Sequence, residues 1–356
     1  MQRFVVSTGR CGSTLLSTML AVHPEGLMIS ECMGAPDRTH AFAPGPITRE
    51  QFKELMLSNI PVADLAVHRG NITKEQRYEV VNAAEFRIPA FLYICFPTLT
   101  DKADELFAEM MQLVETFPTR TMAEHYLAIF EWLQHKFDKC FWIERTGGSI
   151  EFLPDLYRTF PKAKYVHIHR DGPDAALSMS KHFYFQVLVS LFMRPPTREE
   201  LEQTELAGLP IRIEDPISRR LGPELPSIED FAAYWNYQLE MGFKAFAKMD
   251  SSQLLDVRFE ELVGKPHRTL EEIAEFFDMP DSPGWIDKAA AMVSSEEVRS
   301  RLDTLTAEQQ ASLIKACEPG RILLDRYQHP WIHPTLQLIK DVTRDFAARQ
   351  AKSACW

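Results

Sequence analysis

The chain has 356 residues, too many for a single small module and enough for one large α/β domain carrying insertions. Hydrophobic residues make up 45% and charged residues 25%, ordinary globular values that leave little room for extended disorder. With 39 Lys and Arg against 50 Asp and Glu, the net charge of −11 sets the whole molecule against nucleic acid, anionic membranes and polyanionic glycans, so an anionic ligand needs a local basic pocket.

The amino-terminal residues hold only a short apolar run, Phe4 to Val6, and no apolar stretch approaches the roughly 18 residues of a membrane span. Cys11, Cys32, Cys95, Cys140, Cys317 and Cys355 form no C-x-x-C pair and have no His cluster at zinc-ligand spacing beside them. The expectation is a soluble cytoplasmic protein with reduced thiols, no metal and no membrane or nucleic-acid partner. No repeat period or linker-like tract divides the chain, so a single domain over 1–356 is the simplest organisation.

Residues 3–8 form a short β-branched run that stops at Gly9, and Leu15, Leu16, Met19 and Leu20 then fall on one helical face. Residues 37–138 read mostly helical, with Tyr126, Ile129, Phe130, Leu133 and Phe137 at the spacing of a core stripe. Phe141 to Glu144 is a candidate strand ending at Arg145-Thr146-Gly147-Gly148. A second strand-turn-helix unit follows: Tyr165 to His169, a turn at Asp171-Gly172-Pro173, and a helix from Asp174 to Phe185. Pro195, Pro196, Pro210, Pro216, Pro223 and Pro226 make 191–228 loop-rich, a candidate lid or substrate wall. Leu254 to Arg258 reads as a further strand, Leu270, Ile273, Ala274 and Phe277 have helical core spacing, and 280–356 is largely helical. Alternating strands and helices predict an α/β fold: a P-loop-like, mainly parallel sheet flanked by helices, with large helical insertions.

The first turn reads Ser7-Thr8-Gly9-Arg10-Cys11-Gly12-Ser13-Thr14. Its two glycines let the backbone turn tightly and aim N–H groups at an anion, to which the following helix adds its positive end. Against the nucleotide-binding pattern G-x-x-x-x-G-K-S/T, the first Gly is Ser7 and the lysine is Ser13, so the strict pattern fails. An arginine, a Ser-Thr pair and backbone donors remain, which suit a phosphate-like group held without metal. The same turn would also serve as a well-capped helix start. In the second unit Arg170 ends a strand and Ser178 lies about two turns into the next helix; alone, Arg170 could equally pair with Asp171 or Asp174.

Together the two units resemble the sulfotransferases that use 3′-phosphoadenosine 5′-phosphosulfate (PAPS). In that family the first βα turn carries a Lys or Arg, any residue, Gly and two Ser or Thr, matched by Arg10-Cys11-Gly12-Ser13-Thr14; an Arg followed eight residues later by a Ser matches Arg170 and Ser178. Asp256-Val257-Arg258-Phe259-Glu260-Glu261-Leu262 looks like the family's late strand and helix. The likeness covers roughly 1–34, 139–186 and 229–280. It is nearest the branch of the tyrosylprotein sulfotransferases and related bacterial enzymes, through Leu15, Met19-Leu20, His23-Pro24 and Glu31. It departs at Ser30, where the branch has a first glutamate, and at His182, where it has a basic residue near the 3′-phosphate.

The resemblance implies direct in-line transfer of a sulfuryl group from PAPS to an acceptor hydroxyl, with product 3′-phosphoadenosine 5′-phosphate (PAP) and no metal. Glu31 inherits the role of general base, and Arg10 that of bridging the leaving phosphate and the sulfuryl group. Arg145 matches a basic residue beside the sulfuryl group, though an ion pair with Glu144 or another acid would serve it equally. Ser13 and Thr14 would hold the 5′-phosphate, Arg170 and Ser178 the 3′-phosphate. Trp235 or Tyr237 would clamp adenine, or pack as core. His167, His169 and His182 rank below Glu31 as bases. Phe183, Tyr184, Phe185, Phe192, Phe130 and Tyr126 suit a small apolar or aromatic hydroxylated acceptor, and equally a plain core; a peptide tyrosine is the less favoured acceptor. Two rival readings stay open, a kinase with a degenerate P-loop and a non-catalytic PAP binder. Composition says nothing of the oligomeric state.

Overall fold

Every residue of Arg3–Ser7 is buried, as a strand covered on both faces must be, and this strand forms the centre of a five-stranded sheet. The computed structural model describes residues 1–36, 40–60, 88–195, 197, 199–200, 225–294 and 302–328. In chain order the strands are β1 (Arg3–Ser7), β2 (Gly26–Ser30), β3 (Pro46–Ile47), β4 (Arg120–Thr121), β5 (Phe141–Arg145), β6 (Lys164–His169) and β7 (Leu254–Arg258). The main sheet runs β2-β5-β1-β6-β7 with every pairing parallel, while β3 and β4 form a separate antiparallel pair.

Alternation along β1 sends Phe4 and Val6 into one core and Val5 into the other. Val5 packs with Leu16, Met19 and Leu20 of the helix Ser13–Leu20, and with Ile273 and Phe277. On the opposite face Phe4 stacks on Tyr165 at 5.6 Å and meets Trp142 at 5.7 Å. The predicted stripe is core: Tyr126, Ile129, Phe130 and Leu133 are fully buried on the helix Met122–Lys136, and Phe130 lies 4.9 Å from the Trp142 ring. Thr121 and Glu124 close that helix's start in a reciprocal capping box.

Two expectations are corrected. The helix predicted over Asp174 to Phe185 is two helices, Gly172–Ser180 and Phe183–Met193. His182 interrupts them in an extended conformation, so apolar periodicity on either side reads as one run although the backbone bends between. The strand β2 carries no strong alternation and was absent from the predicted elements; its register against β5, Gly26 opposite Phe141 through Ser30 opposite Arg145, makes it an edge strand. Pro196, Pro210, Pro216, Pro223 and Cys355 lie outside the described residues, as do most of 191–228 and the end of the carboxyl-terminal region.

Because β1 has β5 on one side and β6 on the other, the chain reverses its direction of winding there, and the crevice at the strands' carboxyl ends is the place such sheets bind ligands.

Candidate functional site

The carboxyl-terminal ends of β2, β5, β1 and β6 carry Glu31, Arg145, Arg10 and Arg170 in that order, Arg145 as the last residue of its strand and the other three in the loops that follow theirs. From β2 to β6 is three strand spacings, or about 14 Å. Four residues scattered from position 10 to position 170 thus line a single rim.

The turn after β1 is held from beneath. Ser7 N–H donates to Ser149 Oγ at 3.3 Å, and Gly9 N–H to Gln238 Oε1 at 3.0 Å. Gly12 sits at φ 90° as the cap of the helix Ser13–Leu20, and a Cβ there would lie 2.1 Å from the Phe259 ring. Arg10 also adopts a left-handed conformation, φ 57°. Its Nε donates to Ser178 Oγ at 3.4 Å, so the two motifs predicted from distant sequence meet. Burial raises the Cys11 thiol above its ordinary value, which keeps it protonated and inert. Ser13 is buried and Thr14 exposed at the helix start.

At the second corner, the Arg170 guanidinium lies over the Phe259 ring, 4.8 Å from its centroid. One phenyl ring therefore packs against both phosphate-loop glycine and corner arginine. Asp174 stands 3.7 Å from Arg170 Nη2, a loose pair, while Asp171 is taken by Arg321 at 3.0 Å. Arg170 Nε is buried and has no hydrogen-bond partner among the described residues.

Glu31 follows β2 with φ 61°. Its N–H donates to the Arg145 carbonyl at 2.7 Å, and its carboxylate accepts from Arg145 Nη1 and from Gly147 N–H at 3.2 and 3.3 Å. Arg145 donates onward through Nη2 to Ser17 Oγ at 3.1 Å, and its buried Nε has no partner among the described residues. The arginine side chain is 6% exposed and the glutamate 28%, so solvent or a ligand reaches the carboxylate. The acid that pairs Arg145 is therefore Glu31 and not Glu144. Glu144 instead lies buried on the other face, where burial pushes its carboxyl up to about 7 and Glu31 adds to the rise; Thr146, Met33 N–H and Arg145 pull back in part.

Trp235 is a correction. It is fully buried, its ring under Gly172 and against Gly320, so it packs as core beneath the second corner and presents no face to a ligand. Tyr237 is partly buried against Phe192, 4.9 Å away. His167 and His169 both hydrogen-bond Asp256, at 2.7 and 3.0 Å, and lie buried within the sheet. Burial raises that carboxyl, and the two imidazole hydrogen bonds more than offset it, leaving it below the ordinary range. His182 sits between helices with its ring edge-on to Phe185 at 5.6 Å. Residues that sequence reasoning did not single out are Phe259, Gln238, Ser149 and Ser17, while Phe185, named there only as acceptor-facing, also packs on the phosphate loop at Gly9. Phe259 lay inside a segment already noted for its likeness; Gln238, Ser149 and Phe185 reach the loop only through folding.

The sequence profile of the sulfotransferase family matches residues 3–207 and 218–283. The chain belongs to the sulfotransferase family, whose chemistry is sulfuryl transfer. Among solved structures, the sulfotransferase domain from the curacin biosynthetic pathway is similar at 15% identity, covering 88% of this chain and 97% of that one, TM-score 0.45. Sulfotransferase STF1 from Mycobacterium tuberculosis H37Rv is similar at 18% identity over 88% and 76%, TM-score 0.40. Mouse sulfotransferase SULT7A1, complexed with PAP, is similar at 12% identity over 92% and 88%, TM-score 0.39. No curated protein matches the chain.

Proposed function

We propose that this chain transfers a sulfuryl group from PAPS to a hydroxyl of a small apolar or aromatic acceptor, with Glu31 as general base. The observation that carries the reading is the Arg10 Nε to Ser178 Oγ contact at 3.4 Å, which joins the phosphate-loop motif to the Arg170 corner. The residues fit a bisphosphorylated nucleotide: among the described residues the buried Nε–H groups of Arg145 and Arg170 have no partner, and a helix start with Gly12, Ser13 and Thr14 offers donors. Arg10, Cys11, Gly12, Ser13 and Thr14 would hold the 5′ side, Arg170 and Ser178 the 3′-phosphate. The nucleotide supplies an activated sulfuryl group and a phosphate leaving group.

The chain's own part is to position and to stabilise charge. Arg10 and Arg145 would stabilise the negative charge that builds on the transferring oxygens. Gly147 N–H and Arg145 orient the Glu31 carboxylate; Oε1 accepts from both, while Oε2 accepts only from Gly147 N–H and keeps lone-pair capacity for an acceptor hydroxyl. A positioned base of this kind contributes roughly 10²–10⁴-fold. The acceptor wall is the helix Phe183–Met193: Phe185 packs on Gly9, where a Cβ would lie 2.4 Å from its ring, and Phe183, Tyr184, Leu188 and Leu191 are half-buried beside it. Such a surface favours an apolar or aromatic alcohol or phenol over a charged glycan.

The test is thermal stabilisation by PAP against ADP and ATP, with and without magnesium, because a ligand bound only by the folded state raises its stability by mass action. A shift with PAP, independent of magnesium, is expected. Glu31→Gln should keep that shift and lose transfer by roughly 10²–10⁴-fold. A shift with magnesium–ATP alone would support a kinase; PAP binding with no product, unaffected by E31Q, would support a non-catalytic binder.

A further inference from the structure

The base candidate has an unusual support. A glutamate in the left-handed region is held there by something other than its own preference, and β2, as the sheet's edge strand, is secured through β5. The end of β5 supplies the hold in three places. Gly147 N–H reaches the Glu31 carboxylate. The Met33 N–H is shared between Glu144 Oε1 at 3.0 Å and Thr146 Oγ1 at 3.2 Å. Thr146 Oγ1 donates in turn to Glu144 Oε1 at 2.6 Å, while its methyl closes on Gly34, where a Cβ would lie 2.6 Å from Thr146 Cγ2. Glu144 and Thr146 are each 1% exposed.

Burying a carboxyl is costly unless its hydrogen bonds are made, and a strand that needed only packing would place an apolar residue there, as β5 does at Trp142 on the same face. Among the described residues this carboxyl accepts from Met33 N–H and Thr146 Oγ1, and so ties down the turn 31–34. Both donors converge on Oε1, so an acceptor oxygen suffices and a charge is not required.

We propose that Glu144 and Thr146 are positioning residues for Glu31, acting through the Met33 amide to hold the base at the angle the acceptor hydroxyl needs. This rests on Glu31 being the base. Both residues are buried and act through the turn.

The experiment compares T146V, T146S, E144Q and E31Q as full-length proteins at pH 6.5, reading kcat and KM with a simple phenol acceptor and amide exchange over 31–34. T146V keeps the methyl on Gly34 and loses the hydroxyl; kcat should fall about 10- to 100-fold with the nucleotide KM unchanged, since small misplacements of reacting groups cost this much. Exchange over 31–34 should rise while the rest of the chain is unaltered. T146S and E144Q keep the donor and acceptor oxygens and should stay within about threefold of the parent, and T146V placed on E31Q should cost nothing more, as expected of residues acting as one unit. The PAP-induced thermal shift, retained in each, reports folding independently of turnover. Unchanged kcat in T146V beside a dead E31Q would overturn the positioning role alone. E144Q as impaired as T146V would overturn it too, because charge rather than geometry would then matter. Full turnover in E31Q would remove the base, and this inference with it.

Discussion

Gly12→Ala is the sharpest single perturbation of the phosphate loop. Gly12 has φ 90°, and a left-handed conformation costs a non-glycine residue about 1–2 kcal/mol. Its new methyl would meet Phe259 Cδ2 at 2.1 Å and Cε2 at 2.4 Å, well inside contact distance. Phe259 is 4% exposed and carries Arg170 on its face, so the ring has no free direction in which to retreat. Overpacking of this kind adds about 1–3 kcal/mol, giving a total near 2–5 kcal/mol. Urea unfolding measures it. The clash can be separated from the backbone cost in a double-mutant cycle. With Phe259→Ala, which itself should cost about 3–5 kcal/mol, the added G12A should cost only the left-handed share of about 1–2 kcal/mol. Equal G12A costs in both backgrounds would refute the claim that one ring braces the loop and the arginine together, and a G12A cost below about 0.5 kcal/mol would refute the strain argument altogether.

Two further outcomes follow from the same geometry. Arg170→Ala removes the cation assigned to the 3′-phosphate, so calorimetric affinity for PAP should fall by roughly 10- to 150-fold, from about 1.5–3 kcal/mol per charged hydrogen bond, while binding of ADP, which lacks that phosphate, should be unaffected; equal losses for both nucleotides would place Arg170 elsewhere. Glu144→Gln tests the buried carboxyl by pH. Its native value is raised from 4.5 to about 7, chiefly by burial, so between those values the folded chain holds a proton that the unfolded chain releases. Stability from this group is complete below about pH 4.5 and is lost as pH rises to about 7, so E144Q should gain on the parent across that window by up to about 3 kcal/mol. A difference flat with pH in chemical unfolding would show the carboxyl to titrate normally.

Much of the scaffold is readable along the chain because its causes are local. The apolar run before Gly9, the helical spacing of Leu16, Met19 and Leu20, and the stripe from Tyr126 to Leu133 are each buried as their periodicity requires. The turn at Gly12 is forecast by residue type, since its φ of 90° suits glycine and the Ser-Thr pair after it suits a helix start. β2 was missed because a short edge strand ending in polar Ser30 shows little alternation, and the break at His182 because apolar residues continue on both sides of it.

What residue order along the chain leaves open is who meets whom. That Arg145 would turn to Glu31 rather than to its neighbour Glu144 depends on β2 pairing with β5, and adjacent residues of a strand point to opposite faces. That Trp235 would be sealed under Gly172, and Phe259 shared between Gly12 and Arg170, depends on how helices settle on the sheet. Spacing within a turn is fixed by bonds and sterics over a few residues; convergence of loops after β2, β5, β1 and β6 is fixed by strand order, which is a property of the packed whole.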